Sequence, residues 1–289
     1  MLFKTPDEFV RAPRHAVTVF GMSGVGKTRL SALLQAGGWF HYSVDYRIGT
    51  RYMGEFIVDN FKREAMKVPF LRELLRSDSI YLTSNITFNN LEPLSTYLGA
   101  PGDHRRGGLT LAEYQRRQNQ HRTAEISALL DVPDFIERAQ AIYGYDDFIC
   151  DTGGSLIEVI DAGNADDPVV RTLTASTALL YIRGTDADAE ALIARFTKAP
   201  KPMYYQPDFL VAKWAEYKVL NRIKSDDDVD PAGFGAWGFE ALIHDRLPRY
   251  EQLARTFGYI IDARDLATVR DAADFSAMMA MAIQNRLSA

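Results

Sequence analysis

Cysteine is nearly absent from this 289-residue chain, with Cys150 the single one. That excludes an intrachain disulfide framework and removes the thiolates from which a cysteine-built metal site is made. Long apolar runs are missing too. The N-terminal "MLFKTPDEFVRAP" has no apolar signal-like centre, and the most apolar late stretch, "FSAMMAMAI", falls far short of a membrane span. Nor is there a large excess of one charge. Lys and Arg total 33 against 38 Asp and Glu, a net charge of −5, which gives no general pull towards nucleic acid or an anionic membrane. No internal repeat and no low-complexity tract interrupts the chain.

What is present is enough apolar material, 47% of residues, to bury a sizeable core. Five runs rich in β-branched and aromatic residues read as strands: "AVTVF" (16–20), "WFHYSV" (39–44), "DFICD" (147–151), "ALLYIRG" (178–184) and "GYIID" (258–262). Helical segments alternate with them, which predicts an α/β fold with a parallel sheet, right-handed crossovers and ligands at the strand C-terminal ends. Residues 46–140 and 198–246 are too long for simple crossovers, so each must hold extra elements. The expected organisation is one domain over residues 1–289 carrying two mainly helical insertions.

The most informative stretch is "GMSGVGKT", residues 21–28. A G-x-x-x-x-G-K-[ST] pattern arises by accident in roughly one chain in a hundred of this length. Here a strand precedes it and "TRLSALLQAGG", a helix closed by glycine, follows it, which is the context a phosphate-binding loop requires. Residues Gly21, Ser23, Gly24, Val25, Gly26, Lys27, Thr28 and Arg29 are therefore the candidate nucleotide site. The loop amides and helix N-terminus cradle phosphates, Lys27 reaches the β and γ phosphates, and the Thr28 hydroxyl binds Mg²⁺. ATP and Mg²⁺ are the expected cofactors, and the cytoplasm the expected setting.

Two carboxylates fall at strand ends on the edge where this loop opens. Asp45 follows the second strand in "SVDYRIGTRY", and Asp151 ends the third in "ICDTGGSLIEV". One can hold Mg²⁺ and the other accept a proton from an attacking hydroxyl, and each residue type also serves as an ordinary helix or turn cap. The first insertion carries Arg105, Arg106, Arg116, Arg117 and Arg122 with His104 and His121, either a solvated face or a patch for an anionic acceptor. In the second, Lys213, Lys218, Arg222 and Lys224 suit a lid over the γ-phosphate, with Arg222 the candidate catalytic cation because a guanidinium spans two phosphate oxygens. The aromatics of "WAEY" and "FGAWGF" are expected to pack that lid.

In order along the chain stand "GMSGVGKT", "SVDYRIGTR", "DTGGS" and "RLPRYEQLARTFGYIIDA". This series resembles the shikimate kinases and their gluconate kinase and nucleoside monophosphate kinase relatives, and "LLYIRGTDADAEALIARF" resembles their fourth strand and following helix. The resemblance implies a three-layer P-loop kinase fold with strand order 2-3-1-4-5 and transfer of the γ-phosphoryl group of ATP to a hydroxyl. It implies that Asp45 contacts and deprotonates the acceptor, that Gly153 and Gly154 let it approach the backbone, and that Arg246 neutralises its anionic group. Arg51 or Arg47 supplies a second contact, and Asp151 joins Thr28 at the metal.

The match covers about half of the chain and departs from the family at Ser155, where a third glycine is usual, at Ser43, where an acid is common, and in the length of residues 46–140. The mechanism therefore carries over more readily than the acceptor, expected to be a small anionic or polyhydroxyl molecule. Two other readings stay open: a P-loop ATPase or nucleotide switch, and a kinase acting on a macromolecule or lipid.

Overall fold

The computed structural model describes residues 1–288. In chain order the elements begin with α1 (Pro6–Val10), β1 (Ala16–Phe20), α2 (Lys27–Ala36), β2 (Trp39–Ser43), α3 (Val44–Arg47) and a π-helical turn (Ile48–Tyr52). There follow α4 (Gly54–Ala65), α5 (Pro69–Arg76), α6 (Glu92–Leu98), α7 (Leu111–Leu130), α8 (Val132–Tyr143), β3 (Asp147–Asp151), α9 (Leu156–Val159) and α10 (Pro168–Ser176). The chain closes with β4 (Ala178–Arg183), α11 (Asp186–Lys198), α12 (Pro207–Leu220), α13 (Pro231–Phe257), β5 (Gly258–Asp262), α14 (Ala263–Leu266) and α15 (Ala272–Ser288).

The five strands form one parallel sheet in the order β2-β3-β1-β4-β5. Their near-continuous apolar sequences are explained by burial on both faces: Val17, Val19, Phe20, Ile149, Leu180 and Ile182 are all enclosed. Three strands have the limits expected from sequence. β2 stops one residue early, because Val44 already turns into α3, and β4 stops before Gly184. With the phosphate loop between β1 and α2, this strand order is that of the P-loop kinase fold.

The chain divides into two compact units. One comprises Met1–Val44, Ile126–Pro200 and Ala236–Ala289, and contains the sheet; the other comprises Asp45–Glu125 and Lys201–Gly235. In the sheet unit a stack of rings, Phe20 on Tyr181 at 5.4 Å and Tyr181 on Tyr250 at 5.7 Å, links β1 and β4 to α13. Thr185 and Asp188 close a reciprocal capping box at the start of α11.

The second unit is built on α7, and Thr110 caps that helix through the Glu113 N–H at 3.2 Å, as its sequence predicts. Tyr114 and Gln118 both donate to the Met203 carbonyl, at 2.9 and 3.1 Å, and Gln118 accepts from the Tyr205 N–H at 2.8 Å. Two segments 85 to 89 residues apart in sequence are thereby joined. Trp214 and Tyr217 pack edge-on against Phe234 at 4.8 and 5.5 Å. These aromatics make a core, as expected of the "WAEY" stretch.

Candidate active site

The phosphate loop has the backbone its glycines allow. Gly21, Gly24 and Gly26 have φ of 141°, 89° and 102°, a region that side chains disfavour. At Gly21 a Cβ would also lie 2.6 Å from the Ile182 carbonyl oxygen, so the loop can leave β1 only with glycine there. Gly26 caps α2, and the helix N-terminus it opens points its free amides into the loop. The Lys27 side chain is buried and donates to the carbonyls of Gly21 and Met22 at 2.8 and 3.0 Å. Its ammonium therefore sits inside the loop, while Ser23, Gly24, Thr28 and Arg29 are exposed. Arg29 also reaches the carbonyls of Ala267 and Val269 beyond β5, at 3.4 and 3.5 Å.

The third strand delivers Asp151 beside this loop, since Asp151 pairs in register with Val19 of β1 and Ser43 of β2. Its carboxylate is buried, with His41 Nε2 3.8 Å away. The next residue, Thr152, donates from both its N–H and its hydroxyl to the Val19 carbonyl, at 3.2 and 2.9 Å, tying the turn to β1. Gly153 is buried and Gly154 partly exposed. A Cβ on Gly154 would stand 3.2 Å from Ser23 Oγ of the phosphate loop and 3.8 Å from Arg246 Nη1. Glycine here serves close approach, and the position brings three sequence motifs to one point.

Arg246 and Tyr250 come from α13. Arg246 Nε donates to Glu158 Oε1 at 2.9 Å, both side chains being enclosed, and the Tyr250 hydroxyl donates to the Gly154 carbonyl. The sequence reads Arg246, Pro248 and Tyr250 as a segment followed by a helix. Instead the whole segment lies within the 27-residue α13, Pro248 included. Burial of Tyr250, Leu253 and Ala254 favours continuing the helix despite the N–H that proline lacks.

Other predicted residues fall in the second unit. Asp45 lies just past β2, in the first turn of α3, and is partly exposed. Arg47 follows two residues later with its guanidinium 5.5 Å from the Tyr52 ring, and Arg51 is exposed in the π-helical turn. Several basic residues are already engaged. Glu113 receives Arg116 and Arg117, Asp103 receives Arg105 at 3.1 Å, and Asp230 receives Arg106 at 3.1 Å. Four arginines of the basic stretch thus have three carboxylate partners, which leaves both readings of that stretch open. In the expected lid, Lys213 pairs with Glu216 at 2.8 Å and Lys218 with Asp226 at 2.6 Å. Arg222 is exposed just past the end of α12.

A residue that motif reading passes over stands at the loop itself. Arg195, on α11, places Nη2 3.3 Å from where a Cβ on Gly24 would be. Its position two turns into an otherwise ordinary amphipathic helix left no local signal. Among the described residues no group of three His, Cys, Asp or Glu side chains forms a metal cage. Thr28 and Asp151 carry oxygen donors of the kind Mg²⁺ takes, one or two from protein with phosphate and water completing the shell. No described helix is long and apolar enough to cross a membrane.

No protein-family model and no curated protein matches this chain. Among solved structures it is similar to a shikimate kinase from Bacteroides thetaiotaomicron, at 15% identity over 95% of this chain and 99% of that one, with a TM-score of 0.36.

Proposed function

We propose that this protein is an ATP-dependent phosphotransferase that moves the γ-phosphoryl group to a hydroxyl of a small anionic or polyhydroxyl acceptor. The observation that carries this reading is the convergence of Ser23, Gly154 and Arg246, which brings a glycine turn and a buried guanidinium directly against the phosphate loop. A loop that only hydrolysed nucleotide has no need of such an arrangement.

The loop amides and Lys27 bind the phosphates and draw charge from the transferring group. Arg195 flanks the loop at Gly24 and adds a second cation. Thr28 and Asp151 would hold Mg²⁺, which when bound neutralises phosphate charge. Gly153 and Gly154 admit the acceptor, and Arg246, its Nε held by Glu158, neutralises the acceptor's anionic group. Asp45 takes the proton from the acceptor hydroxyl, and Arg51 or Arg47 contacts the acceptor from the neighbouring turn. Catalysis then rests on positioning and electrostatics.

The test is an assay with γ-labelled ATP, Mg²⁺ and purified protein, alone and with a fractionated metabolite extract. Label on a compound only when extract is present, and lost in Lys27→Ala, supports the reading and isolates the acceptor. Label released solely as free phosphate, at a rate the extract leaves unchanged, overturns it in favour of an ATPase or switch.

A further inference from the structure

Helix α12 is apolar on two opposite faces. Leu210, Trp214 and Tyr217 are buried, whereas the outward positions Val211, Ala212, Ala215, Val219 and Leu220 are exposed, Val219 to 78%. A helix apolar all round is normally covered on both sides, and an uncovered stripe of this kind marks a contact surface.

Charge and spacing say what covers it. Outward-facing Asp208 lies near one end of the stripe and Arg222 just beyond the other, and neither makes an ion pair or side-chain hydrogen bond among the described residues. About Ala215 the stripe is self-complementary when run antiparallel. A two-fold axis through Ala215 sets Val211 against Val219 of a second copy, Ala215 against itself, and Asp208 against Arg222. The alanines let the helices approach closely, and the acidic start and basic end of each helix meet their opposites.

The backbone fixes where Arg222 leaves the helix. That residue occupies the left-handed position of a Schellman motif, φ 55°, in which the Ile223 N–H donates to Lys218 O at 2.8 Å and the Arg222 N–H to Val219 O at 3.2 Å. Glycine is the usual residue there, and a β-carbon costs stability.

We infer that α12 is a homodimer interface, two copies packing antiparallel about Ala215 with two Asp208–Arg222 pairs between them. An interface based on one helix face belongs to the small, reversible class. Sedimentation of the full chain from about 1 to 100 µM, the range suited to such contacts, should show a monomer passing to a dimer. Val219→Asp should abolish the dimer with an unchanged circular dichroism spectrum.

Asp208→Arg and Arg222→Asp should each weaken it about tenfold or more, because two symmetry-related pairs turn repulsive together. The Asp208→Arg/Arg222→Asp double variant should recover it. Under mild oxidation Ala215→Cys should cross-link to itself, whereas the wild type, whose single cysteine is buried, should not. A chain monomeric throughout that range overturns the proposal. So does a dimer indifferent to Val219→Asp, or a double variant as weak as the singles.

Discussion

Glu158 and Glu113, one in each compact unit, are carboxylates that each gather two arginines. Glu158 of the sheet unit takes Arg246 at 2.9 Å and Arg249 at 3.5 Å, and its side chain is 0% exposed. Glu113 of the other unit takes Arg116 at 2.7 Å and Arg117 at 2.8 Å and is 32% exposed. The chemistry is alike and the consequences differ. Around Glu158 no water compensates a lost partner, so each guanidinium is held in place and Arg246 can be aimed beside Gly154. Around Glu113 water screens the charges, and the pairing mainly firms the first turns of α7. Burial decides whether an Arg–Glu contact fixes a guanidinium in place or only braces a helix.

The largest expected difference is in stability. Arg246→Ala leaves Glu158 buried with only the longer Arg249 contact and should cost about 3–5 kcal/mol in urea denaturation. A loss below about 1 kcal/mol, the range of exposed pairs, would erase the contrast. Next comes function, resting on the proposed phosphotransfer. Arg246→Lys keeps a charge but loses the planar fork, and should lower transfer about a hundredfold with ATP binding little changed. An equal loss of ATP affinity would move Arg246 from the acceptor to the nucleotide.

On the other side of the comparison, Glu113→Gln should cost no more than about 1 kcal/mol. Its pH signature gives an independent check. The hydrogen bond from Arg116, with that from Arg117, holds the Glu113 carboxyl at about 2 against its ordinary 4.5, despite some desolvation. A depressed acid stabilises the fold above its unfolded value, and the contribution is lost as pH falls from about 4.5 towards 2. The wild type minus Glu113→Gln difference in unfolding free energy should shrink across that window.

The smallest effect has the opposite sign. The Asp147 side chain, 2.8 Å from His15 Nδ1, raises the His15 value above its ordinary 6.5, with burial opposing. This contribution is complete below about 6.5 and is lost as pH rises through the folded value. A nuclear magnetic resonance titration in which His15 titrates below 6.5 would contradict it.

The same pair of carboxylates shows what was readable in advance. Glu113, Arg116 and Arg117 lie three and four residues apart, so helical periodicity alone brings them together. Glu158 and Arg246 are 88 residues apart, and no local pattern joins them. Only the stacking of α13 against the sheet does so. Likewise Arg195 meets Gly24 through the packing of α11, and His41 meets Asp151 through strand register.

By itself, then, the order of residues determined the five strands, the left-handed glycines of the phosphate loop, the capping of α7 and the alternation that makes the sheet parallel. These follow from backbone sterics and short-range periodicity. The tertiary structure decided the rest: that "RLPRY" continues a helix, that Arg106 pairs with the distant Asp230, and that Gly154, Ser23 and Arg246 come together. Those outcomes depend on which distant surfaces exclude water from one another, and burial of that kind is a property of the assembled fold.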